Sequence, residues 1–176
     1  MTFTEIASAL SAEFSEKVTV VEPETGDPCV TVVPEALVDV CQFLRDDDRL
    51  YFDVLNCVSG VDYLEPDAKK AAKAGFEPHC EVVYHLCSLA QRHRLALKVE
   101  LPRWKDDAAG QLPELPTVSH IWAAADWHER EVFDLSGVFF VGHPDLRRIL
   151  LSDDWEGHPL RKDYEYPLEY HGIRCR

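Results

Sequence analysis

Residues 81–101 read EVVYHLCSLAQRHRLALKVEL, and the spacing of their apolar side chains decides the fold. Leu95, Leu97, Val99 and Leu101 alternate with Ala96, Lys98 and Glu100, the period of a strand buried on one face only. Glu81–Leu89 is β-prone and lies a few residues upstream, so the two runs predict an antiparallel hairpin.

Upstream, Tyr51–Tyr63 is apolar and β-prone, while Pro66–Pro78 is charged, alanine-rich and bounded by prolines, which marks a surface excursion with room for a short helix. Val18–Glu22 and Cys29–Val33 are short β-branched runs separated by Pro23, Gly26 and Pro28, a pair of strands joined by a turn. Phe3, Ile6, Leu10 and Phe14 recur at helical spacing over residues 3–16. A second helix is expected from Pro34, with Leu37, Val40, Cys41 and Leu44 on one face.

Downstream, prolines 102, 113 and 116 bracket a polar loop, and Val118–Leu135 reads as the longest helix with Thr117 as its N-cap. Val118, Ile121, Trp122, Ala125 and Val132 form its apolar stripe, and Glu129 occupies the stripe's missing place. A carboxylate in a core must be paired, so Glu129 is expected to meet Arg147 or Arg148. Beyond Gly137 the periodicity fades into segments punctuated by Gly142, Pro144, Gly157, Pro159 and Pro167. The pattern predicts an α+β fold: a mixed or antiparallel sheet flanked by helices in residues 1–146, then an extended C-terminal docking arm over 147–176.

The chain has 176 residues, enough for one hydrophobic core and too few to favour two. A net charge of -14 argues against nucleic acid or an anionic bilayer as a direct partner. Residues 147–176 hold six basic and six acidic residues, so the charge lies entirely in the body before them. No run approaches the roughly 20 apolar residues of a membrane-spanning helix. Met1–Glu16 resembles neither a secretory signal nor a mitochondrial presequence, so a cytosolic chain is expected. Six cysteines without a CxxC pair give no zinc-ribbon, iron–sulfur or thioredoxin signature.

The stretch richest in chemistry-bearing residues is Trp127-His128-Glu129-Arg130-Glu131 with Asp134 and His143. On a helix His128, Glu129 and Glu131 point in different directions, and no second histidine completes an HExxH pair. His85 and Cys87 share a strand face, but two ligands do not make a metal site. Ser59-Gly60 lacks a nucleophile elbow, Ser152 lacks a matched base, and no GxGxxG or Walker loop is present. No catalytic, cofactor-binding or metal residue is therefore assigned. A hydrolase built on Glu129, Glu131 and His143 is the rival reading. Arg147, Arg148 and Trp155 are of the residue types that anchor protein interfaces, which favours docking for the irregular arm.

Glu129-Arg130-Glu131-Val132-Phe133-Asp134-Leu135, Gly142-His143-Pro144, Leu146-Arg147-Arg148-Ile149-Leu150 and Asp153-Asp154-Trp155-Glu156-Gly157-His158-Pro159-Leu160-Arg161-Lys162-Asp163-Tyr164 form one long, ordered signature. It resembles that of the thirty-kilodalton subunit family of the proton-pumping NADH:quinone oxidoreductase, respiratory complex I. Val61-Asp62-Tyr63 and Val83-Tyr84-His85-Leu86 add to the likeness, which spans roughly residues 50–164. Pro66–Pro78 is longer than expected for that family. The resemblance implies a peripheral-arm subunit without a redox centre, packed against the quinone-site subunit and the adjacent iron–sulfur subunit. It also implies that NADH, FMN, iron–sulfur clusters and quinone are bound by partners, on the cytoplasmic side of the inner membrane. The equivalent subunit of a membrane-bound hydrogenase or ferredoxin-linked complex shares the domain. The signature residues Glu129, Arg130, Glu131, Asp134, His143, Arg147, Arg148, Trp155, His158, Arg161, Lys162 and Asp163 are then expected to be structural or interfacial.

Overall fold

A computed structural model describes residues 1–71 and 73–175. The chain opens with helix α1 (Phe3–Phe14), started by a reciprocal capping box in which the Thr2 hydroxyl accepts the Glu5 N–H and the Glu5 carboxylate accepts the Thr2 N–H. Strands β1 (Val18–Val21) and β2 (Cys29–Val32) form the expected antiparallel pair. A turn at Pro34–Ala36 leads into α2 (Leu37–Asp46), which buries Leu37, Val40, Cys41 and Leu44. Strand β3 (Val54–Tyr63) follows, then the four-residue α3 (Ala68–Ala71) within the proline-bounded excursion, of which position 72 lies outside the described residues.

Strands β4 (His79–Ser88) and β5 (His93–Leu101) make the predicted hairpin, with Tyr84 opposite Leu97 and Val82 opposite Val99. β2 joins β5 in parallel while the other pairings of this sheet are antiparallel, giving one mixed sheet in the order β1-β2-β5-β4-β3. The β5 burial pattern follows its sequence: His93, Leu95, Leu97, Val99 and Leu101 are buried and the residues between are not. Helix residues Ile6, Leu10, Leu37, Val40 and Leu44 share one core with Val30, Val82, Tyr84, Leu97 and Phe52. Each such side chain contributes roughly 1.5–3 kcal/mol by leaving water.

The remaining elements close that core at one end. β6 (Glu114–Pro116) pairs in parallel with β7 (Phe139–Val141), and α4 (Ala125–Ser136) lies between them in sequence. The helix expected from Val118 thus begins at Ala125. Val118–Ala124 forms successive turns instead, with the Ile121 and Trp122 N–H groups on the Val118 carbonyl and the Ala125 N–H on the Trp122 carbonyl, while the Val118 N–H meets the Glu129 carboxylate and the Trp122 indole N–H the Phe52 carbonyl at 2.8 Å. Those turns still carry Val118 and Trp122 into the core. After β7 the chain runs as an irregular arm to a small hairpin of β8 (Glu169–Tyr170) and β9 (Ile173–Arg174).

Candidate functional site

Helix α4 presents charged side chains to three surroundings, and the site is built outward from them. Glu129 is fully buried. Its carboxylate accepts the Thr117 hydroxyl and, at 2.8 Å, the Val118 N–H. Burial outweighs those two hydrogen bonds and pushes the carboxyl up to about 7. The His143 ring, equally buried, stands 3.9 Å away. Its Nδ1 accepts the Asp145 N–H, which leaves Nε2 to donate to the Asp126 carbonyl at 3.0 Å. Among the described residues no arginine reaches Glu129: Arg147 pairs with Asp145 at the surface and Arg148 with Asp134. The expected partner is corrected on physical grounds, since a carboxyl this close to neutrality is satisfied by a hydroxyl and an amide.

Asp134, further along α4, is the carboxylate that holds the charge. Its Oδ2 accepts the consecutive N–H groups of Ile149, Leu150 and Leu151 at 3.0, 2.8 and 2.9 Å, and its Oδ1 takes Arg148 at 2.7 Å. Burial alone would raise its pKa, but the amides and the guanidinium prevail and hold it below the usual range. Arg148 also donates to the Gly157 carbonyl, and Arg130, buried on the same helix, donates to the carbonyls of Arg147 and Arg148. The chain after β7 has no backbone ladder over this stretch, so α4 side chains satisfy its peptide groups.

The arm is fastened a second time at the end of α4. Gly137 adopts φ +71° as the helix C-cap, and a Cβ there would meet the His158 ring at 2.6 Å. His158 donates to the Asp134 carbonyl at 2.9 Å, and burial lowers its pKa. Arg161, 5% exposed, donates to the carbonyls of Ser136, Gly137 and Arg103, each at 2.8 Å, and lies 4.4 Å over the Trp104 ring. A cation here meets the negative end of the helix and the carbonyls left unpaired at its terminus. Asp62, at the end of β3, takes a two-pronged Arg103 at 2.6 and 2.8 Å and the Lys162 N–H at 2.8 Å. Arg103 bonds Asp163 as well. These contacts hold Asp62 below its ordinary value against the effect of burial.

Glu131 is exposed on α4 while Glu129 and His143 are sealed inside, so the three residues of the rival hydrolase reading do not face a common space. Trp155 packs on Tyr170 with centroids 4.8 Å apart. His85 is exposed, and the Cys87 thiol points to Asn56. Among the described residues no three His, Cys, Asp or Glu side chains gather closely enough to hold a metal. Sequence reasoning missed Arg103, Trp104 and the hydrogen-bonding role of Asp62. The available signal was an aspartate inside an apolar strand, which demands a cation in space if not in sequence.

Fold and fastening together define a class, an α+β domain closed by a charged C-terminal arm, and two solved structures share its fold. A trypsin-resistant fragment of Nqo5 superposes with a TM-score of 0.63 at 28% identity, covering 83% of this chain and 100% of the fragment. A chain of an archaeal membrane-bound sulfane sulfur reductase, a respiratory membrane complex, gives 0.68 at 24% identity, over 92% of this chain and 85% of that one. The sequence goes further than the fold. The family model of the respiratory-chain NADH dehydrogenase 30 kDa subunit matches residues 30–170, and the chain belongs to that family. A subunit of the NADH-quinone oxidoreductase of Roseiflexus castenholzii is 49% identical over 138 residues, 78% of this chain and 70% of the relative.

Proposed function

We propose that this chain is a peripheral-arm subunit of an ion-translocating NADH:quinone oxidoreductase, scaffolding the quinone module without catalysing a step itself. The observation that carries the reading is the match to the 30 kDa subunit family across residues 30–170, which includes the whole α4 hub and most of the arm. On this reading the hub makes a rigid platform of the arm, and the arm lies against the quinone-site subunit and its iron–sulfur neighbour. NADH, FMN, the iron–sulfur clusters and quinone are held by those partners. The chain sits on the cytoplasmic side of the membrane and touches it only through the complex. No helix among the described residues is long and apolar enough to cross a bilayer, which fits such an attachment.

An affinity-tagged chain drawn from solubilised membranes is expected to bring NADH-oxidising and quinone-site subunits with it. Recovery as a free protein would sink the proposal. The likeness in fold to a chain of a sulfane sulfur reductase complex supports a second reading, the equivalent subunit of a hydrogenase or ferredoxin-linked complex. The same experiment separates the two, because a hydrogenase-type subunit in place of the NADH-oxidising ones would favour the second.

A further inference from the structure

The end of the arm folds into a cleft of about 490 Å³ whose walls are Trp155, Tyr164 and Tyr170 and whose rim carries Glu156, Glu165 and Glu169. Among the described residues no lysine or arginine lines it. The cleft is built rather than incidental. Gly157 turns at φ +80°, and a Cβ there would meet the Tyr164 ring at 2.8 Å, so the turn lets that ring form a wall. The Tyr170 hydroxyl and the His171 Nε2 both bond the Asp154 carboxylate at 2.7 Å, which fixes the Tyr170 ring against Trp155. The three rim glutamates are exposed, and their side chains accept no hydrogen bond from any described residue.

Aromatic faces beside free carboxylates suit one kind of guest. A guanidinium stacks flat on an aromatic ring and forks to carboxylate oxygens, whereas a compact ammonium does only part of this and an anion is repelled. Leu168 and Ile173, 72% and 69% exposed, stand on the same segment and present apolar surface that a free cation would not cover but a protein would.

We propose that this cleft receives an arginine side chain from a partner subunit, so that the arm's tip recognises its neighbour by an aromatic and acidic socket. The inference rests on the assembly reading above and adds to it the chemistry of the contact.

The test uses the full chain with p-benzoylphenylalanine in place of the half-exposed Tyr166, which packs on Tyr164, irradiated in membranes. The expected product joins the chain to a partner peptide that contains an arginine. Glu156→Gln, Glu165→Gln and Glu169→Gln together are expected to lower its yield about tenfold, the equivalent of roughly 1.4 kcal/mol. Neutralising the exposed Glu13, Glu16 and Glu22 in the same way is expected to leave the yield unchanged. Equal melting temperatures of the purified triple variants and the parent chain are the expected check on folding. A crosslinked peptide without arginine, an equal loss in both triple variants, or an unchanged yield in the rim variant overturns the socket while leaving the assembly reading intact. A chain recovered without partner subunits overturns both.

Discussion

Asp134 accepts three consecutive amides and a guanidinium from a single buried carboxylate, so its loss leaves donors stranded on a segment that has no other backbone partner. Asp134→Ala is therefore expected to cost about 3–5 kcal/mol, the range for breaking one side of a buried charged contact, and urea unfolding would measure it. A cost under about 1 kcal/mol would mean that the Ile149–Leu151 amides find water instead. Glu129 makes a different prediction, because its pKa is raised from 4.5 to about 7. Between those values the folded chain holds a proton that the unfolded chain has released, so its contribution to stability is complete below 4.5 and disappears as pH rises through about 7. The slope amounts to on the order of 3 kcal/mol across that window. Asp62 and Asp134, both lowered, act at the other end: their contribution is present above 3.8 and is lost as pH falls below it. Denaturant midpoints measured from pH 5 to pH 8 should fall for the parent chain relative to Glu129→Gln, in which the lowered His158 leaves a stability that rises as pH approaches 6.5. A parallel fall in both would assign the effect to other groups.

At the scale of the element, α4 is joined to the arm both along its length and at its end, and its C-terminus is the easier junction to break. Gly137→Ala places a methyl into the His158 ring at a backbone angle that disfavours any side chain, and is expected to cost about 2 kcal/mol or more. Arg161→Lys keeps the charge but cannot reach the Ser136, Gly137 and Arg103 carbonyls together. Limited proteolysis should then cut that variant within the arm well before the parent chain, leaving a stable body; equal rates would deny Arg161 its fastening role. Most of the elements were legible from period alone, because β5 alternates strictly and α1 and α2 each keep one apolar face. The start of α4 was not. Val118, Ile121 and Trp122 hold helical spacing, yet their backbone makes separate turns, closed on the Val118 and Trp122 carbonyls, before the helix starts at Ala125. Periodicity records which side chains go inward and is blind to where a backbone N–H finds its acceptor. The pairing of Asp134 with Arg148 in place of Glu129 escaped for a related reason: the two acids differ in how many amides the returning chain delivers, and that is decided in space.

For the whole molecule, charge distribution constrains how the chain can meet a membrane. Of its 18 basic and 32 acidic residues, 12 and 26 precede position 147, so the body carries the entire -14 and the arm is neutral. An anionic bilayer repels the body, and two of the arm's five arginines are committed inward, Arg161 buried on the end of α4 and Arg148 on Asp134, while Arg147 pairs with Asp145 at the surface. Exposed apolar side chains are scattered over the body, as at Leu89 and Trp127, and recur along the arm at Leu150, Leu160, Leu168 and Ile173, where charged residues separate them. Such a surface binds a protein with matching pockets more readily than a lipid face, which needs either a basic patch or an amphipathic helix. The purified chain should accordingly stay in the supernatant when vesicles containing about one-third anionic lipid are sedimented at low salt, the condition that most favours electrostatic attachment. Membranes holding the assembled oxidoreductase should retain the same chain through a salt wash of about 1 M, where the Debye length has shrunk to about 3 Å and only short-range packing and sheltered ion pairs persist. Sedimentation with protein-free vesicles would give the chain a lipid contact of its own. Release by the salt wash would instead make its attachment an exposed electrostatic one, at odds with an arm held by apolar contacts.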